Sequence, residues 1–366
     1  MRIAKLCCVI ILTLPGAALA QVPDALPDYY PESYAKIVDA GRSEGTLVIY
    51  APLDATAARP LIEDFNQLYP EITVEYNDLS TTVLQNRFLS EAAAGAATAD
   101  FVWSSAMDFQ VQLIQDGYAL SYQSPEIPEI PNWAVWQDQG YGTTFEPIVF
   151  IYNKSELPEE LVPQTHPEVP QVLLENPDAF MGRVANYDIE TSGIGFLTVA
   201  QDSELLDTFW DVPKAFGTVQ ARFISGSGTM IESVGSGENV FAYNQLGAYA
   251  RRVADNPDVG VIFPSDYTLV MSRVAFIADK APHPNAGKLW LDYILSQRGQ
   301  EIIAGDTGLY SLRSDVEGQY AAKALTEKLG DAIKPIPIGP ELLEYLQPEK
   351  RLAFLDRWLQ AIREAQ

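Results

Sequence analysis

Short apolar, β-branched runs alternate with stretches of helical period along the first third of the chain. Thr46-Leu-Val-Ile-Tyr50 is the first run, and Ala58, Leu61, Ile62, Phe65 and Leu68 then recur at the spacing of one helix face. The pattern repeats with Ile72 to Tyr76 ahead of a helix over 82–94, and with Asp100 to Trp103 ahead of one over 107–116. Such alternation predicts an α/β lobe, a mostly parallel sheet flanked by helices.

A second series follows a proline-rich stretch over 158–177. It runs through Arg183-Val-Ala-Asn-Tyr187, a helix from about Ser192, Arg222-Phe-Ile224, a helix near 229–234, Val240-Phe-Ala-Tyr243 and Val259-Gly-Val-Ile-Phe263. This predicts a second α/β lobe. Two long extended runs, Phe145 to Tyr152 and Leu269 to Ile277, flank the series and are expected to cross between lobes. Helices follow over 286–295, near Gln300, and along a final stripe of Leu352, Leu355, Leu359 and Ile362. Residues 21–43, rich in Pro, Asp and Tyr, read as an irregular lead-in. The expected division is lobe 1 over 44–146 and 270–366, the latter including the C-terminal helices, and lobe 2 over 147–269.

The N-terminus changes the picture of where the protein works. A basic start (Arg2, Lys5), an apolar core from Leu6 to Leu14 and Ala18-Leu-Ala20 before Gln21 form a secretory signal peptide over 1–20, with cleavage expected before Gln21 and a periplasmic mature protein. Cys7 and Cys8, the only cysteines, lie inside that segment, so disulfides and thiolate metal sites are not expected in the mature chain. The formal charge is −25. Loss of Arg2 and Lys5 deepens it, which argues against nucleic acid as a partner and for a soluble, acidic surface. A chain of 366 residues exceeds what one core usually supports, in keeping with two lobes.

Several segments, in this order, resemble the bacterial periplasmic solute-binding proteins of the ferric-iron, phosphorylated-sugar and aminoethylphosphonate importer group. They are Gly45-Thr-Leu-Val-Ile-Tyr-Ala51, Ala99-Asp-Phe-Val-Trp-Ser-Ser105, Phe145-Glu-Pro147, Ile151-Tyr-Asn-Lys154, Asn186-Tyr-Asp188, Ser192-Gly-Ile-Gly-Phe196, Tyr243-Asn244 and Asp266-Tyr-Thr-Leu-Val-Met-Ser-Arg-Val-Ala-Phe276. The resemblance spans about residues 44–315. It implies a two-lobed periplasmic-binding-protein fold of type 2, joined by crossing strands. It also implies a small-molecule ligand held between the lobes, and a transmembrane ABC permease as partner. A monomer without cofactor is the expected working form.

Loops after strands are where such folds bind ligands, because helix N-termini present free amides there. In lobe 1 the candidates are Asp54, Ser80, Thr81 and Ser105; in lobe 2 they are Asp188, Ser192, Ser227, Thr229 and Tyr243, with Glu146 at the junction. Ser and Thr in these places also serve as ordinary helix caps. The glycine-flanked turns before Ser192 and Ser227 suit an anion, whereas Asp54, Glu146 and Asp188 suit hydroxyls or an amine. A small oxyanion or zwitterion, of the sugar-phosphate or aminophosphonate type, answers both sets. Arg273 is expected either to neutralise such a head group or to pair with one of the acids. Ferric-binding relatives carry a Tyr-Tyr pair where this sequence has Tyr243-Asn244, and neither His166 nor His283 falls in a strand-end loop, so the iron alternative rests on one phenol. Among enzymes a glycosidase using Glu146 and Asp188 is the surviving alternative. No His-Glu-x-x-His motif is present, and no catalysis is expected.

Overall fold

The computed structural model describes residues 26–96, 98–249 and 256–366. The expected signal peptide, both cysteines, Gln21 and the first residues of the lead-in lie outside them. The rest of the lead-in is not irregular. A 3-10 turn (Glu32–Tyr34) runs into α1 (Ala35–Glu44), which ends on Gly45 at φ 68°. Gly41 lets α1 approach the helix over 284–295, since a Cβ there would lie 2.6 Å from Leu289 Cδ1. Pro27 and Pro31 hide this short helix from a periodicity reading.

Lobe 1 then alternates as expected: β1 (Thr46–Ala51), α2 (Ala55–Leu68), β2 (Thr73–Asp78), α3 (Thr81–Ala93), β3 (Phe101–Ser104) and α4 (Met107–Gln115). Short β4 (Val135–Trp136) and β5 (Gly140–Gly142) precede β6 (Glu146–Asn153), which already belongs to the second sheet. Lobe 2 continues with α5 (Glu168–Glu175), α6 (Pro177–Phe180), β7 (Val184–Tyr187), α7 (Gly193–Leu205), α8 (Asp211–Thr218), β8 (Arg222–Ile224), α9 (Ser227–Gly235), β9 (Phe241–Leu246), β10 (Val259–Ile262) and β11 (Thr268–Met271). The chain returns through β12 (Val274–Ile277), α10 (Pro284–Leu295), α11 (Gln297–Ile302), α12 (Ala322–Leu329), β13 (Ile333–Pro335) and α13 (Pro348–Glu364).

The first sheet has the order β2-β1-β3-β12-β5-β4 and the second β13-β11-β6-β9-β7-β8, with β10 also paired to β6. The β2-β1-β3 and β9-β7-β8 blocks are parallel. Strands that arrive from the other lobe lie antiparallel to their neighbours: β12 against β3, and β6 against β9 and β11. Each sheet is therefore mixed, because a strand that crosses and returns must enter in the opposite sense. The run from Leu269 to Ile277 is two strands in two sheets, broken at Ser272-Arg273.

Lobe 1 packs Leu47, Ile49, Phe65, Phe88, Phe101 and Trp290 into one buried core. Lobe 2 buries Phe150, Val212 and Phe216 under one face of its sheet, and Val149, Met230 and Val234 under the other. The C-terminal helix α13, expected with lobe 1, lies on lobe 2: Trp358 is 1 % exposed and packs against Phe209 and Phe216. Truncating such an aromatic typically costs about 3–5 kcal/mol, so α13 is an integral part of lobe 2. Among the described residues no helix is long and apolar enough to cross a membrane.

Candidate ligand cleft

Two short segments lead from one sheet to the other at the junction, ahead of the later passage of the chain to β13 and α13. Residues 143–146 lead from β5 into β6, and Ser272-Arg273 lead from β11 into β12. Ser272 Oγ accepts from the backbone N–H groups of Thr143 and Thr144, at 3.0 and 3.1 Å, while the N–H of Arg273 donates to Thr144 Oγ1 at 2.9 Å. Arg273 Nε lies 2.9 Å from Glu146 Oε1, which also accepts from Thr144 Oγ1. Both charged side chains are essentially excluded from solvent. The junction is therefore tied by a buried ion pair inside a hydroxyl network. Glu146 commits its Oε1 to this network, and Arg273 pairs with an acid.

Above this junction the parallel strands of lobe 1 end together. Ala51 of β1 is level with Asp78 of β2, and Tyr50 with Val102 of β3. The loops beyond carry the lobe 1 candidates. Asp54 stands exposed before α2. Ser80 caps α3, accepting from Val83 N at 3.4 Å, and Thr81 opens that helix. Ser105 is half-buried ahead of α4, and its hydroxyl bonds to no other described residue; the helix has no side-chain cap, and Ser104 Oγ accepts from the N–H of the N-cap residue Ala106 at 3.2 Å.

In lobe 2, Tyr187 at the end of β7 is level with Ile224 at the end of β8. Asp188 follows, half-buried, and accepts from Glu190 N and Thr191 Oγ1. Ser192 is 5 % exposed and caps α7 through Gly195 N at 3.2 Å. Ser227 opens α9, with Thr229 exposed in its first turn. A Cβ on Gly193 would meet Phe109 of α4 at 3.9 Å, so the N-terminus of α7 lies beside the helix that Ser105 introduces. The two lobes thus bring hydroxyl-bearing helix starts to one another.

Tyr243 is withdrawn from this region. It is fully buried, stacks on Phe150 at 5.0 Å and donates to Asp202 Oδ2 at 2.8 Å. Burial, then the charge of Asp202, push its phenol well above the ordinary value. Tyr267 donates to the other oxygen of Asp202 at 2.8 Å and stacks on His166, whose Nδ1 lies 3.0 Å from Asp266. These polar groups complete a buried knot that ties α7, β9 and the approach to β11.

Sequence reasoning missed Tyr187 and Gln245. Asn244 sits at φ 53°, a left-handed conformation that Asn tolerates, and this breaks the strand alternation. Tyr243 and Gln245, two residues apart, consequently face opposite sides of the sheet. Gln245 Nε2 donates to the Ser227 carbonyl at 2.9 Å, while Tyr187 OH donates to Gln245 Oε1 at 2.7 Å and lies 2.6 Å from Ser227 Oγ. The one available signal was the Asn between two polar strand residues. Among the described residues no group of three or more His, Cys, Asp or Glu is arranged to hold a metal ion.

Two lobes with a paired crossing, and helix starts brought together from both, are the frame of a type 2 periplasmic-binding-protein fold. The family of bacterial extracellular solute-binding proteins matches residues 60–328, and the chain belongs to that family. The substrate binding protein of the ABC transporter from Agrobacterium tumefaciens is 39 % identical, with a TM-score of 0.81 over 87 % of this chain and 94 % of that one. The periplasmic binding protein AfuA from Actinobacillus pleuropneumoniae, solved with exogenous fructose-6-phosphate bound, is 19 % identical, with a TM-score of 0.69 over 87 % of this chain and 99 % of that one. Iron-bound HitA from Pseudomonas aeruginosa is 17 % identical, with a TM-score of 0.66 over 86 % and 99 %. At these lower identities the likeness is one of fold, that of type 2 periplasmic binding proteins. No curated protein matches the sequence. The family is one of extracellular transport receptors, not of enzymes.

Proposed function

We propose that the chain is the exported receptor of an ABC-type importer, released by cleavage before Gln21, acting as a monomer. It captures a small oxyanion or zwitterion of the sugar-phosphate or aminophosphonate type and delivers it to a membrane permease. The observation that carries this reading is the meeting of helix starts from opposite lobes, α7 beside α4, each next to a candidate hydroxyl. Helix N-termini favour negative charge through their free amides and aligned dipoles. The fructose-6-phosphate bound to AfuA is a ligand of this class on the same fold. The withdrawal of Tyr243 to Asp202 speaks against a tyrosinate–iron site.

A thermal-shift screen of sugar phosphates, aminophosphonates, polyamines and ferric salts tests the proposal, repeated on Ser105→Ala and Ser227→Ala. A hydrogen bond to a charged group is worth about 1.5–3 kcal/mol, so each variant should bind the hit at least about tenfold more weakly. A hit that stabilises both variants as much as the parent protein would place the ligand elsewhere.

A further inference from the structure

A second cavity, of about 650 Å³, lies in lobe 1 away from the cleft, between the lead-in, α1, the end of α2 and the end of α10. Five tyrosines line it: Tyr29, Tyr30, Tyr34, Tyr69 and Tyr293. Tyr29 is 57 % exposed at the mouth, whereas Tyr34 and Tyr293 are buried within. Successive rings meet at steep angles, Tyr29 to Tyr30 at 66° and Tyr30 to Tyr34 at 70°, with centroids 5.1 and 4.5 Å apart. Such rings form walls rather than a stack.

Four of the five hydroxyls end on carboxylates. Tyr29 and Tyr30 donate to Glu126, Tyr34 donates to Asp292 at 2.8 Å, and Tyr293 donates to Asp64 at 2.9 Å. A carboxylate at the hydroxyl adds negative potential to a ring whose face is already negative, which favours a cation over that face. Carboxylate-bonded tyrosines elsewhere in the molecule carry cations in this way. Lys288 Nζ lies 5.5 Å over Tyr122, which donates to the same Asp292, and the Arg87 guanidinium lies 4.4 Å over Tyr50, which donates to Glu91. Two arginines also border the cavity, each facing an acid: Arg298 makes two hydrogen bonds to Asp64, and Arg42 Nε lies 3.4 Å from Glu71.

We propose that this tyrosine-walled cavity is a second ligand site, separate from the inter-lobe cleft, that takes an organic cation with a quaternary or methylated ammonium head. A weakly hydrated ammonium gains from the ring faces without needing a direct salt bridge, and the apolar walls accept its methyl groups.

The test is calorimetric titration of the full mature protein with choline chloride, and in parallel with 3,3-dimethyl-1-butanol, which has the same shape without the charge. Choline should bind saturably and at least tenfold more tightly than the alcohol. Tyr29→Ala and Tyr30→Leu should each weaken choline at least fivefold, while Arg42→Met, which removes a neighbouring positive charge, should tighten it about twofold or more. Equal binding of the two probes would reduce the cavity to an apolar hole and overturn the proposal. So would the absence of saturable choline binding, binding unaffected by both tyrosine variants, or a loss of binding in Arg42→Met, which would mark an anion site instead.

Discussion

Glu146 and Arg273 sit on different crossing segments and meet 2.9 Å apart, both withdrawn from water. Removing one charge leaves the other buried without compensation, which costs about 3–5 kcal/mol. Glu146→Gln should therefore lower stability by that order in urea denaturation. Replacing both, as Glu146→Leu with Arg273→Met, should recover most of the loss. A double variant no more stable than the single one would mean that the pair is not the tie it resembles.

Asp108, in the first turn of α4, is 1 % exposed, and its carboxyl is pushed up to about 6 by burial, against the opposing pull of the Phe109 N–H and the Arg351 charge. The unfolded chain has the ordinary value of 3.8. Between about pH 4 and pH 6 the folded protein therefore binds more protons than the unfolded one, and stability falls as pH rises through that window. Asp108→Asn removes this penalty. It should be nearly as stable as the parent protein at pH 4 and more stable by about 3 kcal/mol at pH 7.5, a figure set by the shift of some two units. A gap that stays constant from pH 4 to pH 7.5 would contradict the assignment.

The strands and helices with strong periodicity were legible in sequence, and with them the loops in which Ser105, Ser192 and Ser227 sit. These follow from local alternation, which needs no knowledge of packing. The direction of Tyr243 was not legible, because it depends on the single left-handed residue Asn244. Nor was the partner of α13, since an apolar stripe says that a helix is buried and not against what. The pairing of Glu146 with Arg273 joins residues far apart in sequence, and the choice among three nearby acids is settled only by the register of the crossing strands.

The Tyr243 phenol is held un-ionised by burial and by Asp202, so it is unsuited to bind Fe(III) as a phenolate. Protein given ferric citrate should develop no visible tyrosinate charge-transfer band. Tyr243→Phe should leave the absorption spectrum unchanged and lower stability by about 1.5–3 kcal/mol, the worth of its hydrogen bond to a charged acceptor. A coloured complex lost in Tyr243→Phe would restore the iron reading.

The orientation of Ser227 depends on two neighbours that touch no solvent. Tyr187 and Gln245 are 0 % and 1 % exposed, and together they bond the Ser227 hydroxyl, the Ser227 carbonyl and each other. Tyr187→Phe keeps the ring, and with it the packing in the core of lobe 2, but removes the group that fixes the serine hydroxyl. If Ser227 acts on a ligand as proposed, that loss of pre-organisation should weaken binding of the thermal-shift hit several-fold while leaving its rank among related ligands unchanged. Ser227→Ala combined with Tyr187→Phe should then be no weaker than Ser227→Ala alone, because the tyrosine acts only through the serine. Additive losses in that cycle would show instead that Tyr187 reaches the ligand itself, and isothermal titration of the four proteins at one pH decides between the two.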